Sequence, residues 1–161
     1  MLRIALAGVC VAAIVVTGAG CPKTQAEGLI AAALERALVD AKDLPDIRMV
    51  STGPDLIVKR EISGTSIEVT PGALPTIPDR KVILLSNSQI VERARNLGEV
   101  YYVVIHGLDV QGTEATLQLG VGVNVAPERA VNPMCCCSGE FRYALENGAW
   151  VYRGSGGTVC P

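Results

Sequence analysis

The stretch EVYYVVIHGLDVQGTEATLQLGVGVNV, residues 99–125, decides the fold. Val100 to Val110 is apolar at consecutive positions through Ile105, the pattern of a strand buried on both faces and therefore central in a sheet. Leu117, Leu119, Val121, Val123 and Val125 alternate with Gln118, Gly120, Gly122 and Asn124, the pattern of a half-buried strand. Between the two runs Gly112-Thr113 suits a tight turn. A turn there places Leu108 opposite Leu117 and Val110 opposite Ala115, with apolar partners on one face. The same register puts His106 on the face of Val104 and Leu108, opposite Leu119. From Glu99 onward the chain reads as antiparallel sheet.

Toward the C-terminus, Asn147-Gly148 is the strongest short hairpin signal available. Pairing Glu146 with Ala149 brings Leu145 opposite Trp150 and Tyr143 opposite Tyr152, with Phe141 on the same face. Counted further outward, this register brings Cys135 opposite Cys160 in a non-hydrogen-bonded pair, where side chains approach closely enough for a bridge. Gly154, Gly156 and Gly157 could host a bulge that shifts the register by one or two residues, and Cys136 or Cys137 would then replace Cys135. Residues 126 to 134 form a polar, proline-bearing loop.

Working toward the N-terminus, Ser86-Asn87-Ser88-Gln89 has the form of a capping box, Ile90, Val91, Ala94 and Leu97 supply an apolar side, and Gly98 suits a left-handed stop. These residues predict a short helix after the apolar run Lys81 to Leu85. Residues 46 to 80 alternate short apolar runs with Gly and Pro. Asp55 to Ile62 and Ser66 to Val69 read as strands, and Pro71 to Asp79, with three prolines, as an extended loop. Before them, Thr24-Gln25-Ala26-Glu27 has the capping-box form, and Leu29, Ile30, Ala33, Leu34, Ala37, Leu38 and Ala41 recur at helical spacing until Leu44-Pro45. This predicts a helix over 25–42 that covers a sheet with its apolar stripe.

The expectation is a single α+β domain over residues 25–161, with the N-terminal helix packed on a curved antiparallel sheet and a second short helix between strands. All four Tyr, the only Phe and the only Trp fall between residues 101 and 152, so the earlier part builds its core from aliphatic side chains. The order of elements resembles cystatin-like and nuclear-transport-factor-2-like folds. No motif specific to either family is present, and neither family's function is carried over.

The first 21 residues carry a different signal. Arg3, an apolar run from Ile4 to Val16 and the small residues Gly18, Ala19 and Gly20 lead directly to Cys21. A positive start, a short apolar stretch and a small-residue cleavage site make a secretory signal, and the stretch falls short of the roughly 18 apolar residues of a spanning helix. The ending Gly18-Ala19-Gly20-Cys21 resembles the lipobox of bacterial lipoproteins. That resemblance implies removal of residues 1–20, acylation of Cys21 and residues 21–24 as a lipidated tether. Pro22, in place of the Asp that marks inner-membrane retention in enteric lipoproteins, implies the outer membrane. Cleavage without lipidation and retention as an uncleaved anchor are competing readings of the same segment.

Sixteen acidic and fourteen basic residues give a net charge of −2, and loss of Arg3 with a signal peptide would carry the balance further negative. A mildly acidic chain without Lys/Arg clusters lacks the electrostatic footprint of a nucleic-acid binder. In an exported protein Cys135, Cys136, Cys137 and Cys160 read first as disulfide candidates. Three successive cysteines do not have the C-x(2–4)-C spacing that lets sulfurs converge on zinc, so no metal is assigned.

His106, the only histidine, could line a sheet cavity with Tyr102. Asp109 is a poor partner for it, because residues an odd number apart on a strand point to opposite faces. No His-Asp-Ser set is present, and Gly154-Ser155-Gly156-Gly157 lacks the context and Lys of a phosphate loop. The sequence therefore points to a lipid-anchored envelope lipoprotein acting as a non-enzymatic binding or structural module, with no cofactor and with the membrane and an envelope protein as partners. A small pocket enzyme or ligand-binding protein using His106 and Tyr102, and a thiol-redox protein using the triplet Cys135 to Cys137, are the alternatives.

Overall fold

A computed structural model describes residues 22–40, 44, 46–50, 53, 55–126 and 137–159. The segment 1–21 and Cys135, Cys136 and Cys160 lie outside the described residues, so the readings of the signal, the lipidated cysteine and the 135–160 bridge are not met by it. The described elements, in chain order, are helix α1 (Pro22–Leu38), the one-turn helix α2 (Ile47–Val50), β1 (Asp55–Lys59), β2 (Lys81–Leu85), α3 (Asn87–Leu97), β3 (Glu99–Gln111), β4 (Glu114–Val125), β5 (Ser138–Glu146) and β6 (Ala149–Val159). The six strands form one mixed open sheet in the order β2-β1-β3-β4-β5-β6, and the class is α+β.

The expected antiparallel sheet is corrected to a mixed one by the first half of the chain. β1 pairs in parallel with β2 over Asp55↔Lys81 to Lys59↔Leu85, and with β3 at Val58↔Val103. Parallel neighbours need a long crossover, and α3 supplies one between β2 and β3, with β1 lying between them in the sheet. The crossover from β1 to β2, residues 60–80, has only a short 3-10 turn at Pro71–Ala73, as its prolines dictate. The expected strand Ser66 to Val69 reduces to one bridge, Glu61↔Glu68. β1 also ends at Lys59, three residues short of the expected Ile62.

α1 begins at Pro22 and ends at Leu38, against the expected 25 to 42. Proline suits the first helical position because its φ is preset and its missing N–H would be unpaired there anyway. Glu27, read as the capping-box carboxylate, instead accepts a hydrogen bond from the Thr70 hydroxyl. At the other end the Val39 and Asp40 amides both donate to the Glu35 carbonyl, which closes the helix after Leu38. The shorter helix α3 follows its sequence closely. Ser86 accepts from the Gln89 amide, Gln89 accepts from the Ser86 amide at 2.8 Å, and Gly98 stops the helix at φ 91°.

Two apolar clusters flank the sheet. On one face Leu29, Ile30, Ala33 and Leu34 of α1 share a single buried cluster with Val58, Val103, Ile105, Leu117, Leu119, Val121, Phe141 and Tyr143. On the other, Ile90 and Ala94 of α3 cluster with Ile57 and Val100, backed by Ile83, Leu85 and Tyr102. β1 is buried through Leu56, Ile57 and Val58 because it contributes to both clusters. The aromatic residues extend the first cluster: Tyr152 meets Tyr143 edge-on at 5.7 Å, and Trp150 Nε1 donates to the Gln25 carbonyl at 2.8 Å, binding the first turns of α1 to β6. The Arg36 guanidinium lies 3.4 Å from the centre of the Tyr152 ring.

The C-terminal hairpins take the predicted turns. Leu108 faces Leu117, Val110 faces Ala115, Leu145 faces Trp150 and Tyr143 faces Tyr152. Leu117 is fully buried at the centre of the larger cluster, whereas Val151 is 37% exposed on β6. Leu117→Ala should lower the stability measured by chemical denaturation by about 2–5 kcal/mol, and Val151→Ala by less than about 0.5 kcal/mol; equal losses would contradict this placement of the core.

Candidate functional site

His106 and Tyr102 lie on the α3 side of the sheet, each above a glycine of β4. Tyr102 pairs with Gly122, and a Cβ built at Gly122 would fall 2.5 Å from two atoms of its ring. A Cβ at Gly120 would fall 3.0 Å from His106 Nε2 and 3.1 Å from the Ser138 Cβ. Both rings therefore lie on bare backbone that a larger β4 residue would occupy, an arrangement in which an aromatic side chain covers the strand glycine facing it. Gly120 and Gly122 were legible only as polar-face positions in the alternation of β4, and nothing local in the sequence marks them as seats for rings.

The expected pairing of His106 with Leu119 is corrected. β3 carries a bulge between Ile105 and Gly107, so Ile105 faces Leu119 and Gly107 faces Gln118, with His106 the extra residue. The bulge also reverses the parity of the strand beyond it. Leu108 joins the cluster beneath α1, while Val104, which pairs with Gly120, faces the α3 side. The sequence holds a signal for this: apolar positions run Val103, Ile105 and then Leu108, Val110, a slip of one residue against the unbroken Ala115, Leu117, Leu119, Val121 of the facing strand.

Partial burial, together with the nearby positive charge of Lys59, holds the His106 imidazole below its ordinary pKa. His106 is nonetheless exposed. A cavity of about 520 Å³ lies elsewhere, bounded by Ala26, Glu27 and Ile30 of α1 and by Ser66, Ile67, Glu68 and Thr70. Its lining is mostly apolar, and its polar groups are two carboxylates and two hydroxyls, of which the Thr70 hydroxyl donates to the Glu27 carboxylate. A smaller hollow of about 150 Å³ lies beside the Arg93–Asp55 ion pair, which is 2.9 Å long, and is flanked by the exposed Met49 and Leu97. Neither hollow is lined by His106 or Tyr102. Of the α1 residues at the larger cavity, Ile30 belongs to the stripe that the sequence predicts to cover a sheet and Ala26 and Glu27 to the expected capping box, and only the return of residues 66–70 against that helix makes a cavity of them.

Of the cysteine triplet, Cys137 is described, and it is disulfide-bonded. Its amide donates to the Asp46 carboxylate at 3.4 Å. No helix among the described residues is long and apolar enough to cross a membrane. A scan against protein-family models, a search of curated proteins and a search of solved structures each return no match to this chain.

Because the folded state disfavours protonated His106, the unfolded chain binds more protons as the pH falls through the ordinary histidine range. His106 therefore contributes stability that is present above about pH 6.5 and is lost on acidification through that value toward its lower folded pKa. Titration of the single imidazole followed by NMR should give a midpoint below about 6.5, moving upward in Lys59→Gln. A midpoint at or above the ordinary value would contradict the partial desolvation of this ring against β4.

Proposed function

We propose that this chain is an exported lipoprotein of the bacterial cell envelope, acylated at Cys21, whose α+β domain acts as a non-enzymatic binding or structural module at the outer membrane. One observation carries the reading: a single basic residue, an apolar run of secretory length and Gly18-Ala19-Gly20 lead directly to a cysteine. Two features of the fold support it. α1 is helical from Pro22, the next residue in the sequence after Cys21, so an acyl group on that cysteine would hold the domain close to the bilayer surface. The disulfide of Cys137 suits an oxidising compartment outside the cytosol.

A multiply acylated cysteine gives durable attachment where one chain alone is marginal. The membrane is then a partner through the anchor, and the domain remains available to an envelope protein. Nucleic acid is not a partner in this reading, since the chain is mildly acidic and lacks basic clusters. The domain is read as a helix seated on a curved sheet, which the bulges in β3 and β6 support because each extra residue bends its strand.

Cells expressing the wild-type chain and Cys21→Ser, fed a clickable fatty-acid analogue and then fractionated, test the proposal. The wild type should incorporate the label and sediment with membranes, and the variant should lose the label and move to the soluble fraction. An unlabelled wild type, or a variant that stays with membranes, would overturn it.

A further inference from the structure

We infer that the disulfide partner of Cys137 is Cys160, and that this bond closes the β5–β6 hairpin at the end away from its turn. The argument rests on the ladder between the two strands. From the turn outward, Glu146↔Ala149, Leu145↔Trp150, Ala144↔Val151 and Tyr143↔Tyr152 keep the register that Asn147-Gly148 sets. The first shift lies between Tyr143 and Arg142, where Arg142 faces Gly154 and Arg153 is the extra residue. The second lies between Phe141 and Gly139: Phe141 faces Ser155 but Gly139 faces Thr158. Each shift moves β6 ahead by one residue. The last described pair is Ser138↔Val159, and one step further along both strands the sequence has Cys137 and Cys160.

The glycines show why β6 takes up the extra residues. Gly154 sits at φ 146°, in the region that a side chain disfavours. A Cβ at Gly156 would fall 2.5 Å from Glu140 Oε1, so only glycine allows the strand to pass beneath that carboxylate. Facing residues of an antiparallel ladder lie about 4.5–5.5 Å apart at Cα, inside the range that a disulfide spans. Neighbours in sequence lie about 3.8 Å apart across a trans peptide, short of that range, which disfavours Cys136 as the partner. Cys137 is already committed to a disulfide. In forming the bond the two thiols give up two protons and two electrons by exchange with a disulfide-bearing oxidant, which leaves as a dithiol.

The inference holds whether or not Cys21 is acylated. It also removes Cys137 from any redox chemistry of the triplet, leaving Cys135 and Cys136 as its only other members. β6 is an outer strand of the sheet. Its end beyond the bulges, where ladder pairing is interrupted, is the part that the bond would pin.

The test uses the purified full chain, unfolded without reductant. Free thiols are blocked with iodoacetamide, disulfides are then reduced, and the released thiols are capped with N-ethylmaleimide. Tandem mass spectrometry of the peptides spanning 130–142 and 154–161 assigns each label to its cysteine. Cys137 and Cys160 should carry N-ethylmaleimide, and a non-reduced digest should contain the two peptides joined, with fragmentation placing the link at Cys137. Cys135→Ser and Cys136→Ser should leave the linked pair at wild-type abundance. A link assigned to Cys135 or Cys136, its loss in either of those variants, or iodoacetamide on Cys137 or Cys160 would overturn the inference.

Discussion

The pairing of β4 with β5 is the frame on which the other strands are hung. It runs from Glu114↔Ala144 to Gly120↔Ser138 without a shift in register. Along it Ala115, Leu117 and Leu119 face Tyr143, Phe141 and Gly139 on the side buried beneath α1. A slip of one residue here would carry that entire set to the opposite face, so the buried cluster and the register fix each other. With the middle of the sheet held, irregularity is displaced to the neighbours. β3 absorbs one extra residue at His106, and β6 absorbs two near its glycines.

Those displaced residues bear on every candidate for chemistry outside the anchor. His106 reaches the Gly120 backbone because the bulge presents it toward β4 rather than across from Leu119. Tyr102 covers Gly122 in the same manner and joins the cluster beneath α3. Both rings fill space over bare backbone, which is a packing role and accounts for the placement of each without a ligand. The cysteines follow the same logic, since β6 arrives at its end two residues ahead of the register that its turn sets.

Much of this was legible in the sequence where local chemistry decides the outcome. Gly112-Thr113 and Asn147-Gly148 announce two hairpins and their starting registers, and Ser86 with Gln89 and Gly98 announces both ends of α3. What escaped depends on contacts between distant segments. The parallel pairing of β1 with β2 follows from long crossovers that no single residue marks. The described part of α1 already includes Thr24, and Glu27 is drawn to Thr70 rather than back to the helix start. The slip between Ile105 and Leu108 is written in the apolar pattern, yet it has meaning only beside the unbroken alternation of the strand it faces. A register counted outward from a turn degrades in the same way, one bulge at a time, and the two residues that β6 takes in lie between Asn147-Gly148 and the cysteines whose facing was extrapolated from it.

The central claim is that a continuous β4–β5 ladder forces the extra residues into β3 and β6, and the bulge at His106 is its most accessible consequence. Backbone nuclear Overhauser contacts in the isotopically labelled protein test it directly. The account predicts cross-strand contacts that pair Ile105 with Leu119 and Gly107 with Gln118, and contacts from the His106 ring to Gly120. A regular ladder pairing His106 with Leu119 and Gly107 with Gln118 while Ile105 pairs with Gly120 would contradict it.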